Sequence, residues 1–562
     1  HADRQMEIER RIETEWEKLT EPGAPFATVD ALVLGQRMKV FASAPKNLTE
    51  IWASTSTLGE RLYLAFEADR ISYRAAHAAV KGVASWLHER GVGPGDRVGI
   101  AMRNYPEWML AYWAALWVGA SVVGINAWWA AEELSFALND CRPKALFCDC
   151  ERYDRVTGWA EQDLDTDIVL VRGDRRPGAL AWEDVIGTIG DVPPHDAASD
   201  DEACIFYTSG TTGRAKGARL THRGCVNTVM GIGFATELAK ALGDGASATA
   251  EFPVSLATTP LFHVTANNCL ALPTTAAGGT LILMRKWDAH EALRLVEAER
   301  VTALSGVPTM ARELLAHAAG AGRDLSSLSI LNGGGAPVPP DLVVQIGTNS
   351  APMRPGTGFG MTETSGLVST ISGAAYVAKP TSCGRPIPTF ETRIVDESGT
   401  PLPVGMVGEL CVRGPGVIDG YLNATEETAA ALTDGWLSTG DLAYVDALGY
   451  IFIVDRKKDM VLRGGENVYC AAGEAALYRH PAVAEACVFS VPDERLGEEV
   501  GAAVWLQGAD IPAAETLRAH VRELLAAFKV PRHIWIVTQP LPRNATGKIQ
   551  RKQLRAELLA PA

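Results

Sequence analysis

The stretch FYTSGTTGRAKGARLTHRG, Phe206 to Gly224, crowds Ser, Thr and Gly into one short loop and follows them with Arg214 and Lys216. Successive backbone N–H groups in such a loop can converge into a concave anion site. The run Thr208, Ser209, Gly210, Thr211, Thr212, Gly213 supplies those amides and several hydroxyl donors besides. Lys216 adds a compact positive charge of the kind that meets phosphate. The loop is not a Walker A sequence, because Gly213 is followed by Arg214, Ala215 and Lys216 rather than directly by Lys and then Ser or Thr. Its chemistry is the holding of a polyanion.

A loop of that kind needs a frame. DRVGIAM, ASVVGIN and PKALFCD read as strands separated by helices, and the alternation continues to about residue 390. That pattern argues for mostly parallel sheets covered by helices, an α/β class. The segment Trp108 to Ala131 carries no charge and has the length of a membrane span. Pro106 and Glu107 suit a helix start, Gly119 a break, and Val122, Val123 and Ile125 a buried parallel strand, so the βαβαβ reading is preferred. After residue 390, ETRIVDESGTPLP, GELCVRGP and GYIFIVDR read as short antiparallel strands. Beyond DRKKD, the strand-like EACVFSV, GAAVWL and HIWIV, with a helix from about Ala513 to Phe528, form a small α+β unit. The expected division is a large domain, 1–454, and a small one, 455–562. An extra N-terminal helix within 1–30 carries Ile8, Ile12, Trp16 and Leu19 on one stripe, for docking on the body of the chain or for a homodimer contact.

Composition narrows the function. The 562 residues are 47% hydrophobic and 21% charged with a formal net charge of -15, which disfavours a broad nucleic-acid face. Ten cysteines are scattered. The trio Cys141, Cys148, Cys150 could bind a metal, but a buried strand explains it better. Unpatterned thiols and no readable leader fit a reducing cytoplasm.

Six further motifs follow the loop in order: PLFHVTAN at Pro260, NGGGAPV at Asn332, GFGMTET at Gly358, STGD at Ser438, DRKKDMVLRGGENVY at Asp455 and PRNATGKIQR at Pro542. Together they resemble the adenylate-forming superfamily, and the AMP-forming acyl-CoA synthetases within it, over nearly all the chain from about residue 50. The resemblance implies that a carboxylate attacks the α-phosphorus of ATP to give acyl-AMP and pyrophosphate, and that a thiol, usually coenzyme A, then takes the acyl group. Both first reactants are anionic, so charge on the phosphoryl oxygens must be stabilised.

By the same resemblance the loop holds the β- and γ-phosphates, and Glu363 holds Mg²⁺ with Thr208 near it. Phe359 would stack on adenine, in the run Gly358, Phe359, Gly360, Met361, Thr362. Gly335, Ala336 and Pro337, with Gly334, would form the opposite adenine wall. Asp441 would accept from the ribose hydroxyls with Arg456 beside it. Lys548, in NATGKIQR, would sit over the α-phosphate as the main catalytic side chain. The pivot of the small domain would be Lys458, and Arg463, Gly464, Gly465, Glu466 and Asn467 would line the coenzyme A tunnel.

Departures from the family pattern are Ala215 for a common proline, Trp128 and Trp129 for a common Pro and Arg, and Cys470-Ala471-Ala472-Gly473 after Tyr469. Gly473 would cost about 1 kcal/mol in a helix, and Ala472 removes a carboxylate from its N-terminal end. His263 stands where amino-acid-activating relatives carry Asp. The acyl pocket is expected from Met230, Gly231, Phe234, His263, Val264, Gly306, Gly333 and Gly334, segments without Lys or Arg to meet a second carboxylate. A medium or long fatty acid or an aryl acid fits. No carrier-protein domain is read after the C-terminal turn, so free coenzyme A is the expected acceptor. The alternatives are an acyl-AMP ligase loading a separate carrier protein, or a non-catalytic acyl or nucleotide binder.

Overall fold

The computed structural model describes residues 2–160, 165–208, 214–243, 251–334, 338–348 and 353–561. Among them, a seven-stranded sheet runs in the order Lys216–Thr221, Glu202–Thr208, Ser121–Gly124, Arg97–Ala101, Ala145–Asp149, Asp167–Val171, Leu180–Ala181. All its neighbours are parallel except the first pair. A nine-stranded sheet is parallel from Arg354–Met361 through Ile330–Gly333, Ala303–Gly306, Val254–Ala257 and Thr280–Leu283 to Leu62–Phe66, with antiparallel strands at both ends. This is the helix-covered α/β class read from the sequence.

The apolar run from Trp108 resolves as a helix, Pro106–Trp117, then a strand, Ser121–Gly124, with Gly119 at φ +91° between them. Ten residues of the helix are buried, against helix Tyr73–Glu89 and the strands beside it. From Trp108 onward it carries no charged residue, as burial of Trp108 to Leu116 requires. Among the described residues no helix is long and apolar enough to cross a membrane. Cys148 lies buried within strand Ala145–Asp149.

Helix Ala2–Thr20 docks on the body of the chain. Ile12 packs with Ile371, Tyr376 and Tyr450, while Trp16 and Leu19 pack with Phe26, Phe41 and Phe234. The Tyr450 hydroxyl donates to Glu9 Oε2 at 3.0 Å, and Arg11 donates to the Leu242 carbonyl at 2.7 Å.

Strand Ile451–Arg456 still pairs with Trp436–Val445 in an antiparallel sheet, and a new sheet begins at Val461–Arg463. The chain therefore passes between sheets in the turn 457–460, which contains Lys458. The expected helix to Phe528 stops at Arg522; the backbone turns through Leu524 and Leu525 and becomes extended at Ala526 (φ −58°, ψ 148°), before a short 3-10 turn at Ala527–Lys529. A last helix, Arg551–Leu559, escaped the sequence reading; its one deeply buried apolar residue, Leu554, is too weak a pattern. Gly473 lies inside helix Cys470–Tyr478, where a Cβ would meet Val488 Cγ2 at 3.1 Å, so close packing on the strand favours glycine. The anionic partner that Ala472 cannot supply comes from Asp455, whose Oδ2 accepts from the Cys470 amide at 2.8 Å.

Candidate active site

One cleft of about 2910 Å³ collects residues from both large sheets, the antiparallel sheet and the C-terminal unit. Strand register builds one end of it. Thr208 pairs directly with Lys216 across the antiparallel hairpin, so the two residues that bracket the signature loop stand side by side. Lys216 Nζ lies 4.6 Å from the centre of the Tyr421 ring, and the Tyr421 hydroxyl donates to Glu363 Oε2 at 3.1 Å. Burial raises the Glu363 carboxyl above its ordinary range; the Tyr421 hydroxyl and the charges of Arg456 and Lys216 oppose that rise. A carboxylate so placed gains from a cation. Tyr421 was missed in the sequence, where a Tyr in VIDGYLN gives no sign of spatial proximity to Glu363.

Asp441 and Arg456 are register partners on adjacent strands, and Arg456 Nε stands 3.1 Å from Asp441 Oδ1. Burial pushes the Asp441 carboxyl up to about 6, with Arg456 and Lys548 pulling the other way. Protonation below that value removes the negative charge and weakens the carboxyl as the acceptor it would be for a ribose. The KM for ATP is therefore expected to rise as pH falls through about 6, by at most roughly tenfold per pH unit, and to stay flat above about 7. Asp441→Asn, which retains the similarly raised Asp455, should abolish that inflection. A KM independent of pH in the unsubstituted protein would refute the ribose assignment.

Lys548 is carried on a turn that the small unit presses against the large one. The Asn544 side chain accepts from the amides of Thr546 and Lys548 at 3.0 Å each. Gly547 has φ +84°, and a Cβ there would come within 2.9 Å of Val307. Arg543 ties the turn across the junction: it donates to the Gly547 carbonyl at 2.9 Å, to Thr309 Oγ1 at 2.5 Å, and to Glu485 Oε1 at 2.6 Å. Burial lowers the proton affinity of Lys548, Arg456 adds to that, and Asp441 and Glu363 oppose it. The half-buried imidazole of His263 is pushed down to about 3 by desolvation and by Lys548, so it is neutral.

An ammonium, two carboxylates and a guanidinium thus converge at one end of the cleft. The AMP-binding enzyme family model matches residues 51–422, and the AMP-binding enzyme C-terminal domain model matches 473–548. The chain is a member of the AMP-binding enzyme family. It is an AMP-forming acid–thiol ligase of the adenylate-forming superfamily. A feruloyl-CoA synthase of Amycolatopsis sp is 36% identical over 86% of this chain and 93% of its own. A 3-[(3aS,4S,7aS)-7a-methyl-1,5-dioxo-octahydro-1H-inden-4-yl]propanoyl:CoA ligase of Mycobacterium tuberculosis is 37% identical over 85% and 92%. The solved structure of an anthranilate CoA ligase with anthranoyl-AMP superposes with a TM-score of 0.81 at 26% identity, covering 91% of this chain and 98% of that one.

Within this ligase, Gly358, Phe359, Gly360, Met361 and Thr362 line the cleft, as do Thr208, Lys216, Met230, His263, Val264, Gly306, Gly333, Gly334, Arg456 and Lys458. Ser209, Gly210, Thr211, Thr212, Gly213, Gly335, Ala336 and Pro337 lie outside the described residues. Two expected acyl-pocket residues face elsewhere. On helix His222–Ala241, Met230 and Gly233 point to the cleft, while Gly231 abuts Ile387 and Phe234 sits in the aromatic cluster with Trp16 and Phe26. Apolar type alone could not separate the two faces of that helix. The segments expected for the acyl wall carry no basic residue, but the same cleft is also lined by Lys240, Arg312 and Arg354, the last at the start of strand Arg354–Met361 and paired with Ile330. The Arg463–Asn467 loop stands outside the cleft, with Arg463 held by Glu499 at 2.6 Å. Trp129 packs edge-on to Tyr207 beside the phosphate loop, and the half-exposed Trp128 lies under Arg103.

The residues present fit Mg²⁺. The donors on the wall, the Glu363 carboxylate and the Thr208 hydroxyl, are hard oxygens. Among the described residues no three His, Cys, Asp or Glu side chains gather to cage a metal, so phosphate and water would complete the shell.

Proposed function

We propose that this ligase activates an apolar monocarboxylic acid, ring-bearing or long-chained, to acyl-AMP with ATP and Mg²⁺, and transfers the acyl group to free coenzyme A. The observation that carries the reading is the cleft itself: Lys548, Glu363 and Asp441 gather at one end, and the walls nearby are Met230, Val264, Gly306, Gly333 and neutral His263. The relatives above, named for feruloyl, bicyclic propanoyl and anthranoyl groups, support an acid with a bulky apolar part.

In this scheme Asp441 and Arg456 orient the ribose and Phe359 lies on the adenine. Lys216 and the signature loop hold the β- and γ-phosphates. Glu363, with Thr208, holds Mg²⁺, which would neutralise charge shared by the phosphates. The substrate carboxylate oxygen forms a bond to the α-phosphorus as the bond to pyrophosphate breaks, and the Lys548 ammonium meets the charge that grows on the α-phosphoryl oxygens. Thiolysis of the mixed anhydride then releases AMP.

The test is pyrophosphate release over a panel of acids, with and without coenzyme A. Cinnamate and octanoate should exceed acetate in kcat/KM, each buried methylene adding about 0.8 kcal/mol until the pocket fills. Acetate matching them would overturn the acyl class. Pyrophosphate released without any thioester on adding coenzyme A would favour a carrier-protein acceptor.

A further inference from the structure

The segment before residue 48 precedes the match to the AMP-binding enzyme model, which begins at residue 51, yet it reaches the cleft. Pro25, Phe26 and Ser43 are part of the cleft wall. Helix His222–Ala241 offers this wall Met230, Gly233, Glu237 and Lys240, one face over three turns and about 16 Å of helix. Gly233 is where the N-terminal segment meets it: a Cβ there would stand 3.5 Å from both Cε1 and Cζ of Phe26. Met230, beside the acyl end of the cleft, packs on the same aromatic cluster of Phe26, Phe41 and Phe234.

Phe26 is fixed, not draped. Its amide donates to the Leu19 carbonyl at 3.0 Å, and the Ala42 amide donates to the Ala27 carbonyl at 2.9 Å, which ties the turn to helix Ala2–Thr20 and to strand Gln36–Phe41. Its ring meets Phe234 at 5.7 Å and Phe41 at 6.1 Å, both edge-on. The helix is itself anchored through Glu9 and Arg11, and the Arg385 guanidinium covers Trp16 at 5.2 Å.

We infer that the N-terminal segment is part of the acyl-binding apparatus, with Phe26 against Gly233 and Met230 forming the wall that sets how long an apolar acid the enzyme accepts. The inference rests on the proposed activation of an apolar acid. A buried ring at that place removes room that a tail advancing along the helix face would need, and a substrate too long for it must leave its carboxylate short of Lys548. The wall therefore acts on the acid's KM and on kcat for long acids, and not on ATP.

The experiment is pyrophosphate release with ω-phenylalkanoic acids of increasing chain length, using the full chain. Phe26→Ala should move the optimum to acids longer by about two methylenes or more, the room a lost phenyl ring leaves. Gly233→Val, which needs only ordinary contact distances at its Cβ, should move it to shorter acids. The KM for ATP should stay within about twofold in both variants, since among the described residues Phe26 meets Leu19, Phe41, Gly233 and Phe234, none of them assigned to the nucleotide. Length profiles of both variants superimposing on that of the unsubstituted protein would overturn the inference, as would a parallel change in the KM for ATP. Where Phe26→Ala fails to fold, the Gly233→Val profile decides alone. If the unsubstituted protein releases no pyrophosphate with any of these acids, the proposed acyl class is what has failed, and the two failures are distinct.

Discussion

Replacing Lys548 by alanine should slow acyl-AMP formation by at least about 10²–10³-fold, the usual loss when one preorganised electrostatic donor is removed from a transition state. The half-buried ammonium stands among the charges of Glu363, Asp441 and Arg456 and beside His263, where water screens it less than at an open surface. Its charge acts most strongly on the α-phosphoryl oxygens as they gain charge, so kcat should fall while ATP affinity changes little. The thioester step, begun from synthetic acyl-AMP, should stay near the unsubstituted rate. Single-turnover kinetics of the two halves check this. Acyl-AMP formed at the full rate by Lys548→Ala would remove Lys548 from the chemistry.

Lys458→Pro should give the opposite split, with acyl-AMP formed nearly normally and thioester formation reduced about 10²-fold or more, the scale of loss from misplaced catalytic groups. In this structure the Lys548 turn is docked in the cleft and the Arg463–Asn467 loop stands outside it, tied to Glu499 and, through the Gly464 amide, to the Leu496 carbonyl. Both groups belong to the unit that follows the turn 457–460, so one rotation about that turn would withdraw Lys548 and could bring the loop in. The turn's amide donors to the large unit and to itself are Lys457, Asp459 and Met460, at 2.9, 3.0 and 3.2 Å, which leaves Lys458 to be replaced without losing these bonds. A proline fixes φ there and restricts Lys457 before it, and so blocks the pivot. Equal loss in both halves would place the hinge elsewhere.

The two results differ in what they demand of the chain. The first needs only the right side chain in the right place, and the second needs one backbone position to take two conformations. Arg543 belongs to both: it holds the Lys548 turn through Gly547 and meets Thr309 only while the turn is docked. It also shares the buried carboxylate of Glu485, whose other oxygen accepts from the Leu541 amide at 2.7 Å.

Sequence by itself determined the α/β class, the seven motifs and the helix-then-strand reading of the Trp108 run, because these rest on local facts: the period of apolar residues, the place of Gly119 and Pro106, and residue types within a short loop. It gave the cost of Gly473 if helical, but neither the helix around it nor the reason the helix accepts it. What only the tertiary structure decided are pairings between residues far apart in the chain. Asp441 faces Arg456 because of a strand register. Tyr421 reaches Glu363, and Asp455 receives the first amide of the Cys470–Tyr478 helix, because separate elements happen to converge. Phe234 and Gly231 were read toward the acyl pocket since both are small or apolar; which face of a helix meets a cavity depends on what packs behind it, and here that is Trp16, Phe26 and Ile387. A composition pattern records that a residue is buried, but burial is satisfied equally by a core and by a substrate channel, and only the arrangement of the neighbouring elements separates the two.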